Sequence, residues 1–514
     1  MNSIKDRAFK NISYSLLSFG WPIVIALFVT PLFVHHFGIK EYGIYIFINT
    51  LITLAGLLDL GVSTAISKFI AEQHGNQNKV GVKSLFETAN SVFLFIGIIG
   101  AFFISSSIFL GLVSFPGEIT SSYQAYIPAF IYAGIIFLLN SLSSLYVIIP
   151  TAYQRFDIGS KIGITFITIQ QLTLLGVIFL HKSINTLFLV QVILTAVFYF
   201  VYRKYTKTIL SVYENEHVGK YGWDKNEAIK IYKFGFASFL NNLAGSSLTY
   251  LDRMIIPMFI GPSNLTFYSL PGSITNKIPN LSATLSSIVF PMTAYFEGEG
   301  NRDMTKNLYI RSMRLITVIS TAMAVSFVAF AYQMLQYWIG VNLADKATGV
   351  LIILAFTNLI LAITYPLNNF LLGMGKLKLM SITSVLTAIL NAILLIILLP
   401  KFGIIGAAWA YLLALLPYVY LIYETERSYL KLTLRRAHYI KLISQLSLTS
   451  AIVFLLDIYF IKPFITNFFL VLLSLGISCI IFIFIHYLFG FFEKEDSHDI
   501  LNFGKNVLLK LRKR

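Results

Sequence analysis

The chain has 514 residues, of which 57% are hydrophobic and 12% charged, with a formal net charge of +16 and a mean hydropathy of +0.76. A soluble domain carries roughly a quarter charged residues, and about 20 apolar residues cross a bilayer once, so the composition excludes a soluble protein and predicts an all-α polytopic membrane protein. The single cysteine, Cys479, excludes a disulfide framework and a thiolate metal cluster.

The start, "MNSIKDRAFKNISYSLL", is basic and runs directly into a long apolar stretch without a small-residue cleavage site, which predicts an uncleaved first helix. About 14 apolar runs follow, at roughly 11–34, 44–66, 85–113, 125–149, 162–180, 184–202, 234–260, 266–294, 315–340, 349–372, 379–400, 404–423, 442–460 and 466–490. They are continuous where barrel strands would alternate, so helices are expected. With the N-terminus inside, only Lys40, Lys182, Lys346, Lys401 and Lys462 of the 39 Lys and Arg fall on the outer side. Arg253 and Lys277 fall within spans, and all the others fall inside. That asymmetry predicts cytoplasmic termini. It also assigns most of the positive charge to orientation and anionic lipid headgroups, with no nucleic-acid partner.

The charged inner loop 203–233 divides the chain. Lys10 and Gly38 in the first part match Lys233 and Gly261 in the second, 223 residues on, with Tyr45 and Tyr268 in register. "TAYQRFDIGSKIGI" and "LLGMGKLKLMSITS" match at a separation of 221. Two pseudo-symmetric six-helix bundles are therefore expected, a common transporter plan with a midplane site between the halves. The expected layout is an N-terminal bundle at 1–207, a cytoplasmic linker at 208–233 and a C-terminal bundle at 234–425. Two extra helices at 426–492 and a basic tail at 493–514 complete it.

Arg253 lies about 10 Å below the outer end of span seven, reckoned at 1.5 Å per helical residue. Lys277 is near the midplane in span eight, beside the helix-breaking Pro271, Gly272 and Pro279. A charge at such depth faces a cavity, pairs or snorkels. Asp252 and Asp59 are the candidate ion-pair or coupling acids, and Asn241 and Asn242 could bond sugar hydroxyls or join helices. Arg155 and Lys376 occupy matching inner loops and could form a cytoplasmic gate or serve as orientation charges. His35 and His36 are expected as ordinary outer-loop residues, so no metal site and no cofactor are expected. "GMGK" at 373–376 lacks P-loop spacing, and no hydrolase or kinase signature is present, which argues against an enzyme and leaves no catalytic residue to assign. Two deep bases call for an anionic ligand, for which a diphosphate is a good fit.

"FGIKEYGIYIFINTLITLAGLLDLGVSTAISKFIAE" (37–72), "YQRFDIGSK" and "LDRMIIPMFIGPSNLTFYSLP" resemble the polysaccharide branch of the multidrug/oligosaccharidyl-lipid/polysaccharide exporter superfamily, most of all the Wzx-type O-antigen flippases. The resemblance covers roughly 1–490. It implies two six-helix bundles plus two helices, and alternating-access movement of undecaprenyl-diphosphate-linked oligosaccharide across the bacterial inner membrane. It also implies cavity-facing cations that handle the lipid-linked anion, for which Arg253 and Lys277 are the fitting positions. Implied partners are the lipid-linked oligosaccharide, membrane lipids, and a polysaccharide polymerase with its chain-length machinery, the transporter itself being a monomer. The competing readings are a cation-coupled drug exporter of the same superfamily, which should favour deep acids over deep bases, and a membrane glycan polymerase, which should carry a large catalytic segment.

Overall fold

A computed structural model describes residues 25–109, 124–153, 155–214, 221–430 and 436–491, without the side chains of 156–157, 160, 212–214, 237–238, 240–249 and 436–439. Every regular element among the described residues is helical. The start of the first expected span (11–24), part of the linker (215–220) and the basic tail lie outside the described residues.

The chain divides into two compact units, Met1–Thr266 and Phe267–Arg514. The first contains α1 (Ile25–Phe37), α2 (Ile39–Ala55), α3 (Val62–Gly75), α4 (Lys79–Ser107), α5 (Ile127–Ala152), α6 (Phe156–Phe179), α7 (Ile184–Glu214) and α8 (Lys225–Ile260). Helix α9 (Pro262–Thr275) begins in it and continues into the second unit. The second contains α10 (Lys277–Ser286), α11 (Val289–Gly298), α12 (Arg302–Ala329), α13 (Ala331–Trp338), α14 (Val341–Gly373), α15 (Leu377–Ala414), α16 (Leu416–Glu424), α17 (Arg436–Leu456) and α18 (Phe468–Leu488). Single π turns follow α16 at Thr425–Tyr429 and α17 at Asp457–Ile461.

Ten helical segments among the described residues are long and apolar enough to cross a membrane. Helix α8 is long enough at 36 residues, but its polar content keeps it out of that set. The run α9–α11 is excluded because it is broken into pieces of 14, 10 and 10 residues. These are the expected spans seven and eight, which carry the two deep bases. The long apolar run 379–423 falls on α15 and α16, and α15 is kinked at Gly403, whose φ of 59° and ψ of −144° are non-helical, between the two expected spans.

In the first unit small residues let backbones touch, as membrane helices require in place of a hydrophobic driving force. Gly61 opens α3 with φ +77°, and a Cβ there would stand 2.1 Å from the carbonyl oxygen of Gly235 on α8. Polar side chains tie the same bundle together. Ser141 Oγ donates to the Phe93 carbonyl at 2.7 Å and Thr206 Oγ1 to that of Tyr146 at 2.7 Å. In the second unit Asn358 Nδ2 donates to Thr275 Oγ1 at 2.9 Å, and Asn369 Nδ2 to the Ser286 carbonyl at 3.1 Å. Val318 and Ala322 of α12, Leu446 and Val453 of α17 and Phe482 of α18 form a buried apolar cluster.

The residues paired by the sequence repeat share backbone geometry. Gly38 has φ 93° and ψ 168°, and Gly261 φ 87° and ψ 160°. Arg155 and Lys376 are the N-caps of α6 and α15, with φ/ψ of −91°/57° and −93°/50°. Two further pairs occur at nearly the same separation. Asn78 and Asn301 each follow a positive-φ residue and accept a backbone N–H three residues on, from Gly81 and Met304. His181 and Gly403 have φ of 51° and 59°.

Candidate functional site

Helix α8 brings Arg253 two turns before its end at Gly261. Asp252 is buried at 2% exposure, whereas Arg253 is half-exposed. The neighbours diverge because successive helical side chains point about 100° apart. Among the described residues Arg253 makes no ion pair. It lies within electrostatic reach of Tyr42 on α2, whose hydroxyl also bonds the Thr30 side chain. One turn along α2, Tyr45 bonds the side chains of Gln191 and Asn49. Phe33 packs its ring against both tyrosines, with centroids 5.2 and 4.9 Å away. Arg253 therefore stands beside an aromatic, hydroxyl- and amide-bearing surface built by α1, α2 and α7.

Lys277 is the first residue of α10, directly after the Asn276 turn that interrupts the broken run. Pro271 lies inside α9, so the break falls after the proline, with Thr275 Oγ1 donating back to the Pro271 carbonyl at 3.0 Å. Lys277 is half-exposed and makes no ion pair within its own unit among the described residues.

Asp59 closes the 3-10 turn Gly56–Asp59, where expected span two breaks. Its carboxylate accepts the Ser63 N–H at 3.1 Å, satisfying an otherwise open donor in the first turn of α3. Asp59 also lines a cavity of about 280 Å³ with Asn140, Ser141 and Ser144 of α5 and Phe93 of α4. The side chains of Asn241 and Asn242 lie outside the described residues. Arg155 and Lys376 are exposed at their N-caps, and the Lys376 ammonium stands 5.2 Å from the centre of the Tyr429 ring. His35 and His36 fall in the last turn of α1, not in a loop, because the helix continues to Phe37 before Gly38 turns the chain. The His36 ring packs 5.0 Å from that of His181.

Two features escaped the sequence reading. Helices α12, α14 and α17 enclose an apolar groove of about 590 Å³, lined by Thr317, Val325, Phe356, Leu446, Ala451 and Phe454 among others. No linear pattern marks it, since its wall comes from three distant segments. Near one end of the groove Asp457 is buried at 0% exposure, and an acid inside the apolar run 442–460 was the available signal.

A family model for polysaccharide biosynthesis proteins matches residues 37–348. The putative O-antigen transporter of Shigella flexneri is 20% identical over 419 residues, covering 78% of this chain and 93% of that one. The probable low-salt glycan biosynthesis flippase Agl15 of Haloferax volcanii is 22% identical over 183 residues, 36% of this chain and 39% of that protein. Among solved structures, the lipid II flippase MurJ in an inward closed conformation aligns with a TM-score of 0.70 at 16% identity, over 93% of this chain and 98% of that one. An inward-facing multidrug resistance MATE transporter of the MOP superfamily aligns with a TM-score of 0.53 at 14% identity, over 82% and 99% of the two chains. These alignments establish that the chain shares the fold of those two solved structures. The sequence match spans more than half of the chain, and the protein belongs to the polysaccharide biosynthesis protein family.

Proposed function

We propose that the protein is a flippase that carries undecaprenyl-diphosphate-linked oligosaccharide units from the cytoplasmic to the periplasmic face of the bacterial inner membrane by alternating access. The observation that carries this reading is the pair of deep bases, each without an ion-pair partner among the described residues of its own unit, on the two expected spans too polar or too broken for lipid. Such bases need a water-filled path and an anion to pass along it. Arg253 supplies a planar fork of donors and Lys277 a point charge, a combination suited to a diphosphate. The tyrosine, threonine and amide groups beside Arg253 are suited to sugar hydroxyls, and the apolar groove of the second unit to a polyprenyl chain. The family relatives named as an O-antigen transporter and as a glycan flippase support the same cargo class. Relatives and fold are those of non-catalytic transporters.

On this reading the chain forms two pseudo-symmetric six-helix bundles, about 14 spans in all, with both termini cytoplasmic. The matched backbone conformations at Gly38 and Gly261 and at Arg155 and Lys376 support the repeat. Arg155 and Lys376 would form the cytoplasmic gate, and Asn241 and Asn242 would contact cargo. The protein works as a monomer that hands units to a polymerase and its chain-length machinery. The test is the sidedness of lipid-linked oligosaccharide in a deletion strain complemented with wild type, Arg253→Ala or Lys277→Ala. Units trapped inside and released by wild type alone are expected. Units that reach the outer face without the protein would overturn the reading, and drug resistance gained on expression would favour the exporter alternative.

A further inference from the structure

Asp457 takes no part in the site described above and is the most completely buried carboxyl among the described residues. It opens the π turn after α17, has no exposure, and its Oδ1 has no hydrogen-bond partner among them. π turns within helices recur at functional positions.

Its other oxygen heads a chain of close contacts. Asp457 Oδ2 is 2.6 Å from Ser478 Oγ on α18, Ser478 Oγ is 2.8 Å from Ser326 Oγ on α12, and Ser326 Oγ is 2.8 Å from the Ala322 carbonyl oxygen. Each of these three contacts needs one hydrogen between its oxygens. A serine hydroxyl has a single hydrogen, so the two serines fill two contacts. With an ionised carboxylate, Ser478 donates to Asp457 and Ser326 has one hydrogen for two acceptors, Ser478 Oγ and the Ala322 carbonyl, so one of those two contacts goes without its own hydrogen. With a neutral carboxyl, Asp457 donates to Ser478, Ser478 to Ser326 and Ser326 to Ala322, and every contact is filled.

The surroundings agree with this hydrogen count. Helix α12 presents Ser326; its charged residues end at Arg314, about 18 Å away along the helix. Helix α18 presents Ser478 and Cys479, whose Sγ lies 3.4 Å from Ser326 Oγ, and Cys479 is the titratable group within electrostatic reach of Asp457. His486, two turns further along α18, is engaged with Thr449 at 3.2 Å. On Asp457's own turn Tyr459 is 71% exposed, and Lys462 opens the next turn without pairing to Asp457. No cation among the described residues compensates an ionised Asp457, and an uncompensated carboxylate in such a setting takes up a proton.

We propose that Asp457 is a proton-binding site, and that its proton locks α17 and α18 to α12 through Ser478 and Ser326. The lock sits at one end of the apolar groove: Phe454, one turn before Asp457, and Val325, next to Ser326, both line it. Losing the proton puts a bare charge between the three helices and loosens that wall of the groove. This inference stands on local hydrogen bonding alone and does not depend on the flippase reading.

The test is infrared difference spectroscopy of the purified full-length protein, wild type against Asp457→Asn, across a pH series with and without sodium. Asparagine keeps the carbonyl and supplies the hydrogen, so it should fold and retain the lock. The expected result is a neutral-carboxyl carbonyl band at neutral pH in wild type, lost in Asp457→Asn and titrated away at alkaline pH. Identical spectra at neutral pH would overturn the proposal. So would a band that appears only when sodium is withdrawn, since sodium would then be the occupant. If Asp457→Asn does not fold, wild type labelled with dicyclohexylcarbodiimide, which adds to neutral buried carboxyls, gives the answer after peptide mapping. An adduct on Asp457 at neutral pH that disappears at alkaline pH upholds the proposal, and labelling of other carboxyls without Asp457 overturns it.

Discussion

Gly61→Ala probes the joint that sets α3 against α8, the helix that carries Arg253. The structure gives the substitution two separate penalties. Gly61 has φ +77°, where a Cβ meets its own backbone, a cost of about 1–2 kcal/mol. The new methyl would also stand 2.1 Å from the Gly235 carbonyl oxygen. That neighbour is backbone, so no side-chain rotation relieves the clash, and forced separation of packed elements costs about 1–3 kcal/mol. The total is on the order of 2–5 kcal/mol. The matched control is Gly75→Ala at the other end of α3, where an added Cβ meets nothing within 4 Å. Thermal unfolding of both variants in one detergent, followed by the loss of the monodisperse peak, compares them directly. Gly61→Ala should melt well below wild type and Gly75→Ala close to it. Equal melting of the two would refute the claim that this crossing requires glycine.

Asp59→Ala should lower stability by about 1 kcal/mol through the lost bond to the Ser63 N–H, while Asp59→Asn retains it; the same melting assay decides, and loss of transport in a stable Asp59→Asn would assign a coupling role to the acid. Arg253→Lys should keep part of the surface glycan and Arg253→Glu none, at unchanged protein level, read by glycan staining beside an immunoblot. Ala451→Trp fills the groove from an exposed position on α17, so export should fall while the melting temperature holds. Full export in that variant would remove the groove from the transport path.

Much of the helical layout was legible in the sequence because lipid leaves few alternatives. Among the described residues the expected runs fall mostly on helix, with turns inside 44–66 and 266–294, and the division between runs 379–400 and 404–423 falls at Gly403, the sole non-helical residue of α15. The break in span eight was legible from Pro271, Gly272 and Pro279, although its position, after Thr275, depends on where the freed backbone groups find partners. Asp59 was misplaced to the interior of a continuous span. Hydropathy averages over the two-residue turn at Leu60 and Gly61 that separates α2 from α3, and only backbone geometry exposes it. The groove and the Asp457 chain were invisible for a different reason. The groove assembles from α12, α14 and α17, and the Asp457 chain from α12, the turn after α17 and α18; these segments are distant in sequence, and no spacing within one signals the others.

The proposed repeat sharpens what the deep bases mean. At the offset shared by Gly38 and Gly261, Arg253 corresponds to Thr30, Asp252 to Val29 and Lys277 to Leu54. On the proposed repeat, the first copy has hydroxyl and aliphatic side chains at all three positions. Val29 is as buried as Asp252, at 4% against 2% exposure, so the fold at this depth does not require an acid there. Thr30 bonds the hydroxyl of Tyr42, the same ring that lies within reach of Arg253. The arginine therefore stands where its counterpart's surroundings are already hydroxyl-lined, which is the setting that lets a charge remain solvated within the membrane's depth. On the proposed reading, charges confined to one copy of the repeat, on the two expected spans least suited to lipid, serve what passes through the protein and not what holds it together.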